Sequence, residues 1–392
     1  MCPTGHTPTQ MPYTYRYTVN NKKFINYFVA QNYAKDNNGF VDFKLDSADI
    51  SAFENADLDT VFGKDAQSIY KIKLQKLRQD SEKLRLHYSA GTDSHTILAM
   101  AQELGIDFDD VVLETCSMKG DPDLDAEIIP GIEYAKKNNV KNFRLVKPEI
   151  KHFEKYLDPK WIEDVSGSQL FGFRGAKLDV VLRDAPRMID LTGMDKPWIY
   201  TSAEGKYYWV LTDYPFCQQM RWDHVLFYLD SIVPEAALKQ AYQAKSFLQQ
   251  YYPEHRGMWQ AEFKLSNVEH LKIFNKMIGR APALSELSAN PNKAGKGHPL
   301  YLGYKNYGQM LELRQIGRGD LVDAFYHSLE RVKTVYKDQK HCIDVDSSGN
   351  VTGVGRYAAV FELGDDFVKH TSDDIVNLPL VDGIRGKFTS ER

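Results

Sequence analysis

Six small or polar residues stand between a short strand-like run and an amphipathic helix-like run, in the order Ser89, Ala90, Gly91, Thr92, Asp93, Ser94. A tight loop at such a junction points backbone N–H groups at whatever lies above the strand, and the helix start adds the positive end of its dipole. Gly91 lets the backbone approach a ligand closely, and three hydroxyl groups can donate hydrogen bonds. The combination favours an anion, above all a phosphate. Asp93 suits such a site if it holds a metal ion or orients neighbouring donors, so we predict that it organises Mg²⁺.

The elements around this loop alternate between strand and helix. Strand-like runs cover 84–89, 111–116, 142–146 and 187–192, and helix-like runs cover 94–104, 123–138 and 168–184. Strands that alternate with helices imply crossover units and a parallel sheet. We therefore predict an α/β nucleotide-binding domain over residues 84–218, with a hairpin at 198–212. His95, just inside the helix that follows the loop, is predicted to lie at the surface.

The loop resembles the PP-loop, Ser-Gly-Gly-x-Asp-Ser, of the N-type ATP pyrophosphatases, a superfamily that includes the synthetase domain of asparagine synthetase. Ser89, Gly91, Asp93 and Ser94 match the motif, and Ala90 replaces its first glycine. The resemblance covers about residues 84–215 and extends loosely to uncharacterised phage-encoded members. It implies an adenine nucleotide alpha-hydrolase-like (HUP) fold, with ATP and Mg²⁺ as cofactors. Because alanine fits such a loop only with a negative φ, we predict that one loop amide is aimed differently here.

The same resemblance implies a second phosphate-binding loop after a later strand, at Thr192-Gly193-Met194-Asp195-Lys196-Pro197. In this superfamily a loop rich in glycine and aspartate reaches the pyrophosphate from that strand, and Gly193 lies where it would contact the nucleotide. Lys196 would neutralise phosphate charge, and Asp195 would bind Mg²⁺ together with Asp93. An ordinary polar turn before the proline is the alternative for this segment.

Two further positions close the second strand of the predicted sheet, Thr115 and Cys116. The superfamily packs adenine against the backbone at this edge, so both are predicted nucleotide-binding positions. The alternative for Cys116 is a buried small residue at a strand end. For the first loop the alternative is a helix start that Ser94 caps.

The bulk composition limits the functional class. The chain has 392 residues, a net charge of −4, 43% apolar and 26% charged residues, so it lacks the global cationic footprint of a nucleic-acid-binding protein. No apolar run reaches the roughly 18 residues that a membrane helix needs. The four cysteines lie far apart without a CxxC pair, so we expect reduced thiols in a cytoplasmic protein.

The regions that flank the nucleotide-binding domain differ from it in pattern. Residues 1–83 are predicted to form a small mixed α/β region, with strands at 13–19 and 40–45 and a helix at 65–82. Residues 219–392 are predicted to be mostly helical, with a first helix that begins at Pro234 and others at 266–278 and 319–334. A terminal β-hairpin is predicted around the turn signal at 346–350.

These features together predict an ATP-dependent synthetase or ligase that forms AMP and pyrophosphate. An acceptor oxygen would attack the α-phosphate of ATP, and an amine or ammonia would then attack the adenylated intermediate. Asp93, Asp195 and Lys196 are the predicted catalytic residues, the two aspartates being the metal ligands. Two other classes stay open: a PP-loop enzyme that modifies a tRNA or DNA base, and a non-catalytic nucleotide-binding protein, for which the alanine at position 90 is the argument. The acceptor is a small molecule or a nucleotide, and the sequence leaves its identity and the oligomeric state open.

Overall fold

The computed structural model describes residues 16–24, 27–115, 117–119, 128–158, 188–193, 196–212, 224–261, 267–284, 307–324, 342–345, 351–355 and 357–371. The named helices are α1 (Tyr27–Asp36), α2 (Ser47–Glu54), α3 (Leu58–Gly63), α4 (Ala66–Asp80), α5 (Thr92–Glu103), α6 (Ile129–Lys137), α7 (Ile150–Tyr156), α8 (Pro234–Tyr251), α9 (Val268–Met277) and α10 (Tyr307–Gln315). The strands are β1 (Arg16–Val19), β2 (Lys22–Phe24), β3 (Asp42–Lys44), β4 (Leu84–Tyr88), β5 (Asp110–Glu114), β6 (Phe143–Val146), β7 (Ile189–Thr192), β8 (Trp198–Thr201), β9 (Tyr207–Thr212), β10 (His224–Leu226), β11 (Gly257–Trp259), β12 (Cys342–Val345), β13 (Val351–Gly355), β14 (Tyr357–Leu363) and β15 (Val368–His370).

A five-stranded parallel sheet lies where the nucleotide-binding domain was predicted, in the order β10-β7-β4-β5-β6. β4 comes first in the chain and lies in the centre. The chain then adds β5 and β6 on one side and β7 and β10 on the other, so the direction of addition reverses between β4 and β7. The α/β class is thereby confirmed, and the four predicted strands lie within two residues of the observed bounds.

The central strand has two chemically different faces. Leu84, Leu86 and Tyr88 alternate along one face and belong to the main hydrophobic core. Arg85 and His87 alternate along the other face and are also buried. A parallel strand with helical crossovers is ordinarily apolar on both faces, so the polar face needs partners of its own.

Buried charges on the polar face pair with one another across four strands. Arg85 Nε lies 2.7 Å from Asp110 Oδ2 of β5, and Arg85 Nη1 lies 3.0 Å from Asp190 Oδ1 of β7. Arg144 Nε of β6 lies 2.8 Å from Asp110, and His87 Nε2 lies 3.2 Å from Asp190. Because each of these charges lies beside a group of opposite or complementary character, the sheet can bury this face.

The predicted hairpin belongs to a second sheet, separate from the parallel sheet. β8 and β9 pair antiparallel as predicted, with Gly205 at φ +81° in the turn between them. They belong to an antiparallel sheet of order β11-β8-β9-β14-β15. The parallel sheet instead takes its fifth strand from 224–226, beyond the predicted boundary at 218. A three-residue strand is too short to show a measurable period, so no strand is predicted there.

The flanking regions agree with prediction only in part. The N-terminal region has the mixed content predicted for it, with the three-stranded antiparallel sheet β2-β1-β3 and helices α1 to α4. In the C-terminal region, α8 and α9 fit the predicted helices, and residues 319–324 begin the third. β12 and β13 form the predicted hairpin, and β14 and β15 follow it, so the described part of this region contains strands beyond that hairpin in addition to its helices. No helix within the described ranges combines the length and the hydropathy of a membrane-spanning segment.

Candidate active site

The loop 89–94 and the segment after β7 meet at the carboxyl edge of the parallel sheet. His87 of β4 and Thr192 of β7 lie side by side in parallel register, so both chains leave the sheet at the same edge. A Cβ atom on Gly193 would lie 2.9 Å from the carbonyl carbon of Asp93, which means that the two loops touch through their backbones. The crevice at the point where strand order reverses is where open α/β sheets bind ligands.

Hydrogen bonds within the first loop fix its shape. The backbone N–H of Ser89 donates to Ser94 Oγ at 3.0 Å, and the two hydroxyl oxygens also lie 3.0 Å apart. Gly91 is the residue that caps α5, and it provides no side-chain acceptor for the first amides of the helix. Ser94 therefore closes the loop and does not cap the helix, and the loop keeps the helix start open towards the edge of the sheet.

Ala90 has a left-handed backbone conformation, with φ at +59°. The predicted negative φ of Ala90 is therefore wrong. Since alanine here adopts a conformation that glycine reaches without strain, the reason for predicting a differently aimed loop amide is also removed. The conformation costs an alanine about 1–2 kcal/mol. Packing holds it in place: the side chain is buried, a Cβ on Gly131 would lie only 2.7 Å from Ala90 Cβ, and Leu284 N donates to Ala90 O at 3.3 Å.

The carboxylate of Asp93 lies between two cations. Lys196 Nζ is 3.3 Å from Oδ2, and Arg280 Nε is 2.6 Å from Oδ1. Burial alone would raise the pKa of Asp93, but the charges of Lys196 and Arg280 and their hydrogen bonds outweigh burial and hold it below the ordinary value. The hydroxyl group of Tyr228 donates to the backbone oxygen of Asp93 at 2.8 Å. The structure thus brings two predicted catalytic residues together and adds a third charged group.

Arg280 comes from the C-terminal region and carries no sequence signal of its own. Gly279, at φ +73°, ends α9: its N–H donates to Lys276 O, and the N–H of Arg280 donates to Asn275 O. This is the Schellman arrangement of a helix end, and it sets the direction in which Arg280 leaves the helix. A glycine after an amphipathic run predicts the helix end, but nothing in the sequence relates position 280 to position 93.

Aromatic and amide groups hold the Arg280 guanidinium rigidly. Its central carbon lies 3.1 Å from the centre of the Tyr228 ring, and Nη2 donates to Gln240 Oε1 at 2.7 Å. Its side chain is completely buried, and among the described residues Nη1 has no hydrogen-bond partner. Burial would lower the pKa of Arg280, but Tyr228, Tyr70 and Asp93 raise it further above its usual value, so the group stays charged.

The other predicted site residues are distributed unevenly. The backbone oxygen of Thr92 accepts from Thr96 Oγ1 at 2.6 Å within the first turn of α5. Thr115 is buried, its N–H donates to Val146 O at 2.9 Å, and its carbonyl accepts from Gln309 Nε2 at 3.0 Å. The side chain of Gln309, on α10, therefore occupies the edge of the sheet at which a base was predicted to pack. Asp195 and Cys116 lie outside the described residues.

The site fits phosphate better than it fits a metal ion at Asp93. Each carboxylate oxygen of Asp93 already faces a cation, and Mg²⁺ at this position would add positive charge beside Lys196 and Arg280. Across the described ranges, no three histidine, cysteine, aspartate or glutamate side chains lie close enough together to hold a metal ion. The predicted role of Asp93 as a metal ligand does not fit this geometry, whereas two cations beside an open helix start suit an anion.

His95 does not lie at the surface, contrary to prediction. It is 5% exposed, its Nδ1 lies 3.2 Å from the hydroxyl group of Tyr88, and its ring lies edge-on to Tyr134 at 4.7 Å. Burial lowers the pKa of His95 to about 4, so it is neutral at pH 7. It packs beneath the loop as part of the support and offers no proton at neutral pH.

Comparison with known proteins returned no relative: no protein-family model, no curated protein and no solved structure matches the chain.

Proposed function

We propose that the chain is an ATP-dependent ligase of the PP-loop type, with a HUP-like nucleotide-binding domain, that forms AMP and pyrophosphate. The observation that carries the proposal is the position of Lys196 and Arg280 on either side of Asp93, against the loop 89–94 and at the reversal of strand order. A nucleotide whose β- and γ-phosphates lie at this loop would have positive charge from two parts of the chain. Such sites stabilise charge that develops on a departing group.

The chemistry asked of these residues is positioning and charge stabilisation. An acceptor oxygen attacks the α-phosphorus, the bond to the bridging oxygen breaks, and the electron pair leaves with pyrophosphate. Negative charge therefore grows on the β- and γ-phosphates, beside Lys196. An amine or ammonia then attacks the acceptor carbon and releases AMP, so that a carboxylate acceptor yields an amide.

Mg²⁺ stays a proposed cofactor because ATP carries it in solution, and Asp195 is the remaining predicted ligand. We assign no step of the reaction to the metal, since Asp93 is already paired with cations. We propose a cytoplasmic location on the basis of the widely separated cysteines. A non-catalytic role depends on the alanine at position 90, and the left-handed conformation of that residue counts against such a role.

The products formed from α-labelled ATP test the proposal. The purified chain would be incubated with Mg²⁺, ammonium and a panel of carboxylates and nucleobases, and the nucleotide products would be separated. We expect AMP and pyrophosphate from the wild type and from Arg314→Gln, a matched control at an exposed ion pair with Asp323. Lys196→Ala should form both products about 10²-fold more slowly. Formation of ADP and phosphate, or AMP formation that survives Lys196→Ala undiminished, would contradict the proposal.

A further inference from the structure

We propose that Asp93 is the counter-ion of a cation pair, Arg280 and Lys196, and that this pair supplies the charge that binds phosphate at the loop. The inference rests on the proposed function only in placing phosphate at this loop. It assigns a site role to Arg280, a residue outside the predicted nucleotide-binding domain. It also replaces the metal-binding role predicted for Asp93.

The carboxylate of Asp93 is shared between the two cations. Oδ1 accepts from Arg280 Nε at 2.6 Å, and Oδ2 faces Lys196 Nζ at 3.3 Å. A carboxylate that ligates Mg²⁺ directs an oxygen lone pair at the metal and is not ordinarily shared between two cations. The three groups together carry a net charge of about +1, which a single anion at the open start of α5 would offset.

Neighbouring side chains hold Arg280 rigidly. Tyr228 stacks on its guanidinium at 3.1 Å and also donates a hydrogen bond to the backbone oxygen of Asp93 at 2.8 Å. Gln240 fixes Nη2 and in turn donates to the backbone oxygen of Tyr228 at 2.9 Å. Arg280 is completely buried, so it acts through Asp93 and is a positioning residue. It holds Oδ1, which leaves Oδ2 to orient Lys196 towards the ligand.

The net charge of Asp93, Lys196 and Arg280 decides the affinity of the site for an anion. Asp93→Asn removes one negative charge and leaves the pair at about +2. Arg280→Gln leaves it neutral, and the double variant returns it to about +1. Affinity for a phosphate anion should therefore rank as Asp93→Asn, then wild type and double variant together, then Arg280→Gln.

Calorimetric titration of inorganic pyrophosphate in the presence of EDTA tests this ranking without metal and without turnover. We expect a dissociation constant about tenfold lower for Asp93→Asn and about tenfold higher for Arg280→Gln, each factor corresponding to about 1.4 kcal/mol. The double variant should lie within threefold of the wild type, and so should the surface control Arg314→Gln. Arg280→Lys keeps the charge but not the planar fork, so it should bind better than Arg280→Gln and worse than the wild type.

Mn²⁺ affinity, measured by electron paramagnetic resonance, distinguishes the two roles of Asp93, because each role predicts a different effect of the variants on it. As a counter-ion, Asp93 can be replaced by Asn without loss of Mn²⁺ affinity. As a metal ligand, it would lose affinity on that replacement and gain it when Arg280 is removed. Weaker pyrophosphate binding by Asp93→Asn, or Mn²⁺ affinity that depends on Asp93, would overturn the inference.

The two proposals fail in different ways. If the wild type does not bind pyrophosphate at all, the proposed function and the inference fall together. If the wild type binds but the ranking is reversed, only the inference falls. Since Asp93→Asn leaves two buried cations without a counter-ion, its folding would be checked by circular dichroism. Should it not fold, the double variant and Arg280→Gln still decide the outcome, because affinity for the two must differ.

Discussion

The contact between Ala90 and Gly131 gives a test of the loop geometry that needs no knowledge of the ligand. The two residues face each other so closely that a Cβ on Gly131 would lie 2.7 Å from Ala90 Cβ. The perturbation is a pair of exchanged methyl groups: Ala90→Gly, Gly131→Ala, and both together. Each single change alters the packing between the loop and α6, and the double change moves the methyl group from one side to the other.

The magnitudes follow from separate terms. Ala90→Gly stabilises the folded chain by about 1–2 kcal/mol because it removes the left-handed strain. It destabilises the folded chain by about 0.8 kcal/mol through the loss of one buried methyl group, and by about 0.4–1 kcal/mol because the unfolded chain gains conformational entropy. The net change in the free energy of unfolding is close to zero. Gly131→Ala overpacks the contact at a cost of about 1–3 kcal/mol and gains up to about 1 kcal/mol of helix propensity, which leaves it about 1 kcal/mol less stable.

The double variant should be more stable than Gly131→Ala alone. Without the methyl group at position 90, the nearest neighbours of a Cβ at position 131 are Tyr88 at 3.3 Å and Leu113 at 3.4 Å, which small shifts can accommodate. We therefore expect a favourable coupling of about 2 kcal/mol between the two changes.

Urea unfolding followed by circular dichroism measures all four free energies at equal slope. Additive effects within about 0.5 kcal/mol would refute the packing argument. A loss of more than about 1 kcal/mol for Ala90→Gly alone would refute the left-handed conformation at that position. Activity of Ala90→Gly should equal or exceed that of the wild type, since the loop keeps its shape.

Three further outcomes are expected. Lys196→Ala should lower kcat about 10²-fold, or about 2.7 kcal/mol, with a smaller change in the KM for ATP, because charge grows on the phosphates only in the transition state. An effect confined to KM would show that Lys196 only docks the nucleotide. Gly193→Ala should impair pyrophosphate binding because its methyl group would meet the backbone of Asp93 at 2.9 Å, and unchanged titrations would place the second loop elsewhere. Because the pKa of His95 is lowered to about 4, this side chain stays neutral in the folded chain, whereas the unfolded chain takes up a proton below pH 6.5. The free energy of unfolding should therefore fall by about 2 kcal/mol between pH 6.5 and 4. Thermal melts across this range should show that fall in the wild type and a smaller one in His95→Gln.

The parallel strands were predictable because their alternation reflects a difference between the two faces of the sheet. β4 repeats large apolar residues at 84, 86 and 88, and that pattern survives in the structure. The boundary at 218 was not predictable, because β10 has three residues and follows a hairpin that belongs to another sheet. Short strands depend on their neighbours for pairing, and the neighbour of β10 lies some thirty positions earlier in the chain.

The site divides in the same way between local and distant information. The loop 89–94 could be found because its residue types and its place between strand and helix are local properties. Lys196 could be found because it follows the neighbouring strand. Arg280 could not, because its contact with Asp93 joins residues 187 positions apart and depends on a helix end, a tyrosine ring and an amide that act together. Ala90 misled the prediction because tertiary packing overrode its backbone preference.

The charged face of the parallel sheet also determines which mispaired sheets the chain can form. If β5 slipped by one residue against β4, the carboxylate of Asp110 would turn to the face of Leu86, and Val111 would face the guanidinium of Arg85. A purely aliphatic sheet would tolerate that slip at little cost. Here it would leave buried charges unpaired, at about 3–5 kcal/mol each, against a net stability of roughly 5–15 kcal/mol for a folded domain. The ion pairs therefore specify the strand register, and with it the relative position of the loops that follow β4 and β7 at one edge of the sheet.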